Sequence, residues 1–513
     1  MSDPDEIRDP QTPDEVEIRR RTPPPIDDPT LGIAVAPAPP SGPPASGRAP
    51  RPLVTIGDSL THGVMSGAIF RTDLSWPAQA AAALGIEDFS MPVYGGPGDG
   101  LPLNLESLLR SLERRYGPKL PLWRVPGALL HLRSFLDANE NYWERGPGRN
   151  PDVSLVRYDN LGIYGWDLRD ALSVSVSVLE TRLGARRPDD QVLLPLTPEQ
   201  DNDLAARRVL AGSGRSASQL RAASLVGADG VDTLVVALGA NNALDSVVNK
   251  QVRWSGPGYD DVERKEAYNV WRPSHFAAEF DRVVAQIELV DADRVVLATV
   301  PHVTVAPIAR GVNPQVAGQK WRPGSRYFPY YTDPWIDDHR FDPRRHRHLT
   351  HAQARAVDSA IDHYNEHIVD IVRSARRAGR DWLLFDQAGL LNRLAFRRFL
   401  ADERAADLNP VPAYELPDAL AALTPRPDTR YFLSDDRGRY QGGLFSLDGV
   451  HPTTIGYGIV ADEMLGLIAP GGPRIDFDAL VGRDTLIAHP PPLLRRLIEL
   501  GRPVLGRLSR PRR

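Results

Sequence analysis

The chain has 513 residues, of which 42% are hydrophobic and 25% charged, and its formal net charge is −5. This composition is typical of a globular protein, and so small a charge gives no reason to expect nucleic acid as a partner. The chain contains no cysteine, which excludes disulfides, thiolate metal ligands and a cysteine nucleophile.

Residues 1–51 form the first predicted segment. They are rich in proline, acidic residues and small residues, as in the run Ala36-Pro37-Ala38-Pro39-Pro40. Such a composition lacks the apolar surface that would offset the entropy cost of ordering. We predict a disordered acidic tail at 1–51, followed by a folded domain at 52–470.

The domain alternates apolar runs, which predict strands, with amphipathic segments, which predict helices. The predicted strands are Leu53–Ile56, Val153–Tyr158, Thr233–Leu238, Arg294–Val300 and Trp382–Asp386. The predicted helices are Trp76–Leu84, Ser216–Val226, His275–Val290, about Thr350 to Ala378, and one after His451 that starts at Pro452. This alternation predicts a parallel sheet that is covered by helices on both faces.

Four long insertions interrupt the alternation, at residues 86–151, 174–212, 243–272 and 303–348. Connections of this length usually have a function or form small subdomains. The first contains leucines at helical spacing: Leu105, Leu108, Leu109 and Leu112. We expect residues 86–151 to form a helical cap that shapes a pocket at the edge of the sheet.

Ser59 follows the first predicted strand, in the string Gly57-Asp58-Ser59-Leu60, and precedes a helix. Open α/β sheets place their chemistry at the carboxyl ends of the strands. A serine hydroxyl becomes a nucleophile only with a base, a group that orients the base, and donors for an oxyanion. Serine also favours the N-cap of a helix, so Ser59 alone does not define a site.

The remaining groups occur in three further blocks. Asp448 and His451 lie three residues apart in Asp448-Gly449-Val450-His451-Pro452, where the carboxylate can orient the imidazole toward a serine. Two turns follow the second and third predicted strands: Asn160-Leu161-Gly162-Ile163-Tyr164-Gly165 and Gly239-Ala240-Asn241-Asn242.

These four blocks, in this order, resemble the signature of the SGNH, or GDSL, hydrolase family. The resemblance covers the core elements from Leu53 to about Pro470, and Asn242 departs from the aspartate that usually stands there. It implies a flavodoxin-like three-layer α/β/α sandwich with a five-stranded parallel sheet. It also implies a catalytic triad of Ser59, His451 and Asp448, with an oxyanion hole formed by the Ser59 N–H, the Gly165 N–H and the Asn241 amide.

The activity that the resemblance implies is hydrolysis of a carboxylic ester through an acyl-serine, without a cofactor. A lipid acyl ester, a small acyl ester and an acylated sugar all remain open as substrates, and so does the oligomeric state. Two alternatives also remain: an acyltransferase that uses the same acyl-enzyme, and a catalytically idle binding or scaffold protein on the same fold.

Other side chains are weaker candidates. His62, three residues after Ser59, is a candidate for substrate contact. So is His302, which follows the fourth predicted strand, where the resemblance implies a substrate-facing loop. A cluster of acidic and histidine residues, Asp337, Asp338, His339, His346, His348 and His351, is interleaved with arginines that would repel a cation. We therefore predict a solvated loop there, and no metal site.

The C-terminal residues 471–513 form a basic tail with a short amphipathic helix from about Leu493 to Leu500. Such a helix can contact an anionic membrane, or it can pack its leucines on the domain, which we favour. No segment approaches the ~18 apolar residues that span a bilayer. The first residues do not resemble a secretory signal, so we expect a cytoplasmic protein.

Overall fold

The computed structural model describes residues 7–19, 22–36, 50–149, 156–185, 198–312, 327–395 and 411–508. The strands are β1 (Arg51–Gly57), β2 (Val64–Met65), β3 (Ala68–Ile69), β4 (Leu101–Pro102), β5 (Asn160–Gly162), β6 (Val231–Ala237), β7 (Ala292–Ala298), β8 (Arg310–Gly311), β9 (Tyr330–Thr332), β10 (Leu349–Thr350), β11 (Trp382–Phe385), β12 (Leu433–Asp435) and β13 (Gly438–Gln441).

The helices are α1 (Ser59–His62), α2 (Trp76–Ala83), α3 (Leu105–Tyr116), α4 (Val125–Glu144), α5 (Leu168–Ser173), α6 (Val176–Ala185), α7 (Pro198–Leu210), α8 (Gln219–Val226), α9 (Asp245–Asn249), α10 (Pro273–Ile287), α11 (His351–Arg377), α12 (Gln387–Leu394), α13 (Asp418–Ala421), α14 (Thr454–Ile468), α15 (Phe477–Arg483), α16 (Thr485–Ala488) and α17 (Leu494–Leu508). Short 3₁₀ turns connect several of them.

Five strands form one parallel sheet in the order β11-β7-β6-β1-β5. Successive side chains along each strand point to opposite faces, and both sets are buried. Val54 and Ile56 join a core under α8, α10 and α11, whereas Leu53 joins a second core under α2 and α14. The predicted parallel sheet with helices on both faces is therefore present.

The second strand lies later in the chain than predicted. The expected strand at Val153–Tyr158 falls partly outside the described residues, and Val156–Tyr158 form no strand. Instead Asn160–Gly162 pair with the end of β1, in the register Thr55 to Asn160. The apolar pattern of the longer run is misleading here because the paired segment begins only at Asn160, whose buried side chain donates to the Thr61 carbonyl at 2.9 Å.

The N-terminal segment is not disordered where the structure describes it. Residues 7–19 and 22–36 run along α11 and reach the edge strand β11, where the Leu384 N–H donates to the Pro29 carbonyl at 3.0 Å. Arg19 N–H donates to Ser359 Oγ at 2.9 Å, and Val16 is fully buried. A few apolar anchors and backbone hydrogen bonds thus order a segment whose average composition predicts disorder, and they cover a sheet edge.

The C-terminal segment also packs on the domain. Phe477 and Leu480 of α15 enter the core beneath α14, and the Asp484 side chain accepts from Ile455 N–H at 2.9 Å. The leucines at the start of α17 contact α3, which confirms the predicted packing of these leucines. Within the part of the chain that the structure describes, no helix has the length and apolar character required to cross a bilayer.

Burial of Val16 leads to a stability prediction. Val16→Asp should lower the free energy of unfolding by about 3 kcal/mol, because it would place an unpaired carboxylate in an apolar core. Ile7→Asp is the matched control, since Ile7 is 50% exposed, and it should unfold like the wild type in urea. Equal stability of the two variants would show that the N-terminal segment does not pack as described.

Candidate active site

Ser59 is the first residue of α1, directly beyond the carboxyl end of β1. The residue that caps this helix is Asp58, whose Oδ1 accepts from Leu60 N–H at 3.0 Å. Gly63, at φ +88°, ends the helix after one turn. The N-cap role that serine often takes is thus filled by its neighbour, and the Ser59 hydroxyl is not needed for it.

Asp58 is a site residue that the sequence analysis did not identify. Burial raises the pKa of its carboxyl to about 6, while hydrogen bonds from Leu60 and Ala240 and the charge of His451 act in the opposite direction. The carboxyl therefore lies at the buried end of the turn after β1, where it caps α1. An aspartate directly before a helix start is a common N-cap, and this signal could have found it.

Asp448 and His451 are brought together as predicted from their spacing. His451 Nδ1 lies 3.0 Å from Asp448 Oδ2, and the other carboxylate oxygen accepts from the backbone N–H groups of Val450 and His451, each at 2.8 Å. Burial opposes ionisation of Asp448, but the charge of His451 and these hydrogen bonds hold the pKa of Asp448 below its usual value. An ionised carboxylate only accepts, so Nδ1 must donate and Nε2 is free to act as a base.

The fourth donor to Asp448 comes from a distant part of the chain. Gly67 N–H donates to Asp448 Oδ2 at 2.7 Å, from the tight turn between β2 and β3. The neighbouring Ser66 N–H donates to Ser446 Oγ at 2.8 Å. This hairpin therefore fixes the carboxylate that orients His451, and sequence spacing gave no sign of it.

Ser59 and His451 line the same small cavity, of about 50 Å³. Its walls are mainly apolar and include Trp76, Leu244 and Leu391. Among the described residues, none from 86–151 lines this cavity, which differs from the expected helical cap over the pocket. The helices of that insertion, α3 and α4, are present but lie elsewhere.

Gly165 and Asn241, the predicted oxyanion donors, lie in adjoining turns. Asn241 Nδ2 donates to the Trp166 carbonyl at 2.9 Å, which leaves its second amide hydrogen for another acceptor. Gly165 has φ +73°, and its carbonyl accepts from Lys265 Nζ at 3.0 Å. Lys265 also forms an ion pair with the buried Asp170, and this ion pair holds the turn that contains Gly165.

His62 does not line the cavity, although it was a candidate for substrate contact. Its ring is fully buried, Tyr164 N–H donates to Nδ1 at 3.2 Å, and Nε2 lies 3.0 Å from Tyr94 Oη. Since Nδ1 accepts, Nε2 must donate to the tyrosine. The imidazole therefore positions the turn that contains Gly165.

His302 does line the cavity, as a wall residue whose two nitrogens are already engaged. Nδ1 lies 3.0 Å from Asn392 Oδ1, and Nε2 lies 2.7 Å from Asp362 Oδ1. A bound molecule would therefore meet the imidazole ring rather than a free nitrogen.

The predicted solvated loop from Asp337 to His351 contains ordinary turn contacts. Arg310 pairs with Asp338, and His346 Nδ1 accepts from Asp342 N–H at 3.0 Å. Among the residues that the structure describes, no group of three or more histidine or acidic side chains is arranged to hold a metal ion.

In comparisons with known proteins, neither a protein-family model nor a curated protein matches this sequence.

The buried imidazole of His62 should make stability depend on pH. Burial lowers the pKa of His62 from 6.5 to about 3, so below pH 6.5 the unfolded chain binds a proton that the folded protein does not. Its contribution is complete above pH 6.5 and is lost as the pH falls toward 3. Between about pH 7.5 and about pH 5 the loss should be about 2 kcal/mol.

His62→Gln should reduce the pH dependence by this amount, whatever its absolute stability. Urea unfolding of the wild type and the variant at the two pH values measures the difference. His489→Gln, at an exposed position, is the matched control and should keep the wild-type pH dependence. If His62→Gln kept it too, the imidazole would not be buried in its neutral form.

Proposed function

We propose that this protein is a serine ester hydrolase of the SGNH type, on the flavodoxin-like three-layer sandwich of that family. The observation that supports it best is the shared cavity: Ser59 and His451 both line it, and Asp448 holds His451 by a 3.0 Å hydrogen bond. The two come from opposite ends of the domain, 392 positions apart in the sequence.

The proposed reaction follows the usual order of acyl transfer. Ser59 Oγ attacks the ester carbonyl while His451 Nε2 takes its proton, and the Nδ1–H to Asp448 stabilises the imidazolium. His451 then protonates the leaving alcohol as the C–O bond breaks. Water, deprotonated by His451, attacks the acyl-serine and releases the carboxylic acid and the serine hydroxyl.

The tetrahedral oxyanion needs donors at the same edge of the sheet. The Ser59 N–H, the Gly165 N–H and the second Asn241 amide hydrogen are the proposed set. Each donor of this kind is typically worth a factor of ~10²–10³ in rate. The His62 contact to Tyr164 and the Lys265 contact to Gly165 support this assignment, because they fix the turn that would present the Gly165 N–H.

The cavity also suggests which acyl groups are accepted. A cavity of ~10–15 Å³ holds one water molecule, which is one non-hydrogen atom. A cavity of about 50 Å³ therefore holds roughly four non-hydrogen atoms. An acyl group of two to four carbons would therefore fill an apolar space bounded by Leu244 and Leu391. We propose a small acyl ester as the substrate.

Covalent labelling tests the nucleophile. An aryl or fluoro organophosphonate should add once to the wild type, on the peptide that contains Ser59, since an activated serine attacks phosphorus as it attacks a carbonyl. Ser59→Ala and His451→Ala should lose labelling and should lower ester hydrolysis by roughly 10⁴-fold or more. Ser246→Ala, at a buried serine whose Oγ donates to Ala243, is the control and should label normally.

Labelling on another residue of wild-type protein, or normal labelling of Ser59→Ala, would overturn the assignment. Absence of any labelling in a folded protein would favour an idle scaffold. An acyltransferase would label equally well, so product analysis with and without an added alcohol separates transfer from hydrolysis.

Acyl-chain preference tests the cavity. With aryl esters of graded length, kcat/KM should be highest for two to four acyl carbons and should fall for longer chains. Leu244→Ala should enlarge the cavity and move the optimum to longer chains. The ratio of kcat/KM for an ester with two more acyl carbons to kcat/KM for the shorter ester should rise roughly tenfold. Leu289→Ala, at a position 63% exposed outside the cavity, should keep the wild-type profile, and an identical profile in all three proteins would refute the cavity as the acyl site.

A further inference from the structure

One surface of the protein combines exposed apolar side chains with an uneven charge. Large hydrophobic side chains are mostly buried, yet four of the most exposed ones lie within nine residues: Leu122, Trp123, Leu129 and Leu130 are 70%, 74%, 59% and 71% exposed. They come from the turn before α4 and from its first two helical turns. Leu129 and Leu130 follow Leu122 and Trp123 by seven positions each, a distance of about two helical turns.

The charged residues of the segment that carries these side chains are all basic. Residues 114–136 contain five basic residues (Arg114, Arg115, Lys119, Arg124 and Arg133) and no acidic residue. Arg114, Arg115, Lys119 and Arg133 are exposed, and the Arg124 guanidinium lies 4.6 Å from the centre of the Trp123 ring. Asp137 and Asp436 border the patch and approach Arg133 and Lys119 at 3.8 Å and 3.5 Å.

The C-terminal helix extends the same surface. Leu493, Leu497 and Leu500 pack with Leu112 and Ala128 in one cluster, and Arg496 Nε donates to the Leu120 carbonyl at 3.4 Å. Among residues 493–501, whose side chains the structure describes, there are two arginines and one glutamate. Segment 114–136 alone has a net charge of +5 in a chain whose total is −5.

We propose that this basic apolar face, formed by residues 114–136 and the adjoining α17, docks on an anionic lipid bilayer. Leucine and tryptophan side chains that project from a basic helix favour the boundary between headgroups and acyl chains. Arginine and lysine around them are attracted to anionic headgroups. The leucines at the start of α17 are already buried against α3, so the inserted apolar atoms come from α4 and the turn before it.

A bilayer fits this face better than a second copy of the chain does. Docking two copies through it would bring two surfaces of charge +5 together, and like charges across an interface oppose association. A nucleic acid would satisfy the arginines but would leave the exposed leucines and Trp123 in water.

Vesicle sedimentation of the full chain tests the proposal. Wild-type protein should sediment with vesicles of phosphatidylcholine containing about one third phosphatidylglycerol, but not with phosphatidylcholine alone, and about 0.5 M salt should weaken the binding. Leu129→Ser with Leu130→Ser, and Arg114→Gln with Arg115→Gln, should each reduce the bound fraction roughly tenfold. Brominated lipid should quench part of the tryptophan emission in the wild type and less in Trp123→Phe.

Matched controls distinguish binding through this face from nonspecific binding to vesicles. Leu289→Ser and the pair Arg344→Gln and Arg345→Gln change exposed residues elsewhere and should bind vesicles like the wild type. Ser59→Ala should also bind normally, so the result does not depend on the proposed hydrolase activity. All variants should unfold like the wild type in urea.

Three outcomes would overturn the proposal. The first is no sedimentation with anionic vesicles at low salt. The second is binding that depends on the arginines but not on the leucines and that heparin competes away, which would mean a site for soluble polyanions. The third is a dimer, seen by light scattering, that disappears in the Leu129 and Leu130 variant.

Discussion

The position of the Ser59 hydroxyl depends on how closely the turn after β1 lies against the sheet. A Cβ on Gly162 would lie 2.3 Å from His62 N, and a Cβ on Gly57 would lie 2.0 Å from Thr61 Oγ1. Only glycine permits this approach. Because α1 can lie directly on the ends of β1 and β5, His62 reaches the Tyr164 N–H, and the turn with Gly165 is fixed beside the helix that begins at Ser59.

The orientation of His451 is controlled from outside its own loop. Three of the four hydrogen bonds to Asp448 come from within the short Asp448–His451 segment, as sequence spacing suggests. The Gly67 N–H comes from the β2–β3 hairpin, and the β3 strand in turn pairs with β4 at the start of α3. The geometry of the imidazole therefore depends on a small sheet that the first long insertion completes.

Sequence patterns predicted the elements that are buried on both faces. Strands β1, β6, β7 and β11 each contain a short apolar run, and each lies within a few residues of its predicted position, because such runs favour a buried parallel strand. Strand β5 was misplaced since it has only three residues and begins with Asn160, so it contains no apolar run that would predict a strand. The N-terminal segment was misjudged for a related reason: composition averages over 51 residues and hides single anchors such as Val16.

The candidate site residues also divide into those that the sequence could predict and those that only the fold could show. Ser59, Asp448 and His451 could be predicted because their residue types and their local spacing can be read from the sequence. Gly67 could not, because a backbone donor has no distinctive residue type, whereas the N-cap role of Asp58 could be predicted from an aspartate directly before a helix start. His62 and His302 were both named as candidates for substrate contact, but only the fold could show that one supports a turn and the other forms a cavity wall.

The insertion at 86–151 and the C-terminal helix are part of the support of the site. Leu109 of α3 and Leu494 of α17 share a buried cluster with Phe432 and with Leu447, the residue before Asp448. The Leu105 N–H also donates to the Ser66 carbonyl at 2.9 Å, in the hairpin that holds Asp448. Removing the insertion would expose Leu447 and release that hairpin, so a change in activity after deletion would report on the position of Asp448 rather than on the size of the acyl cavity.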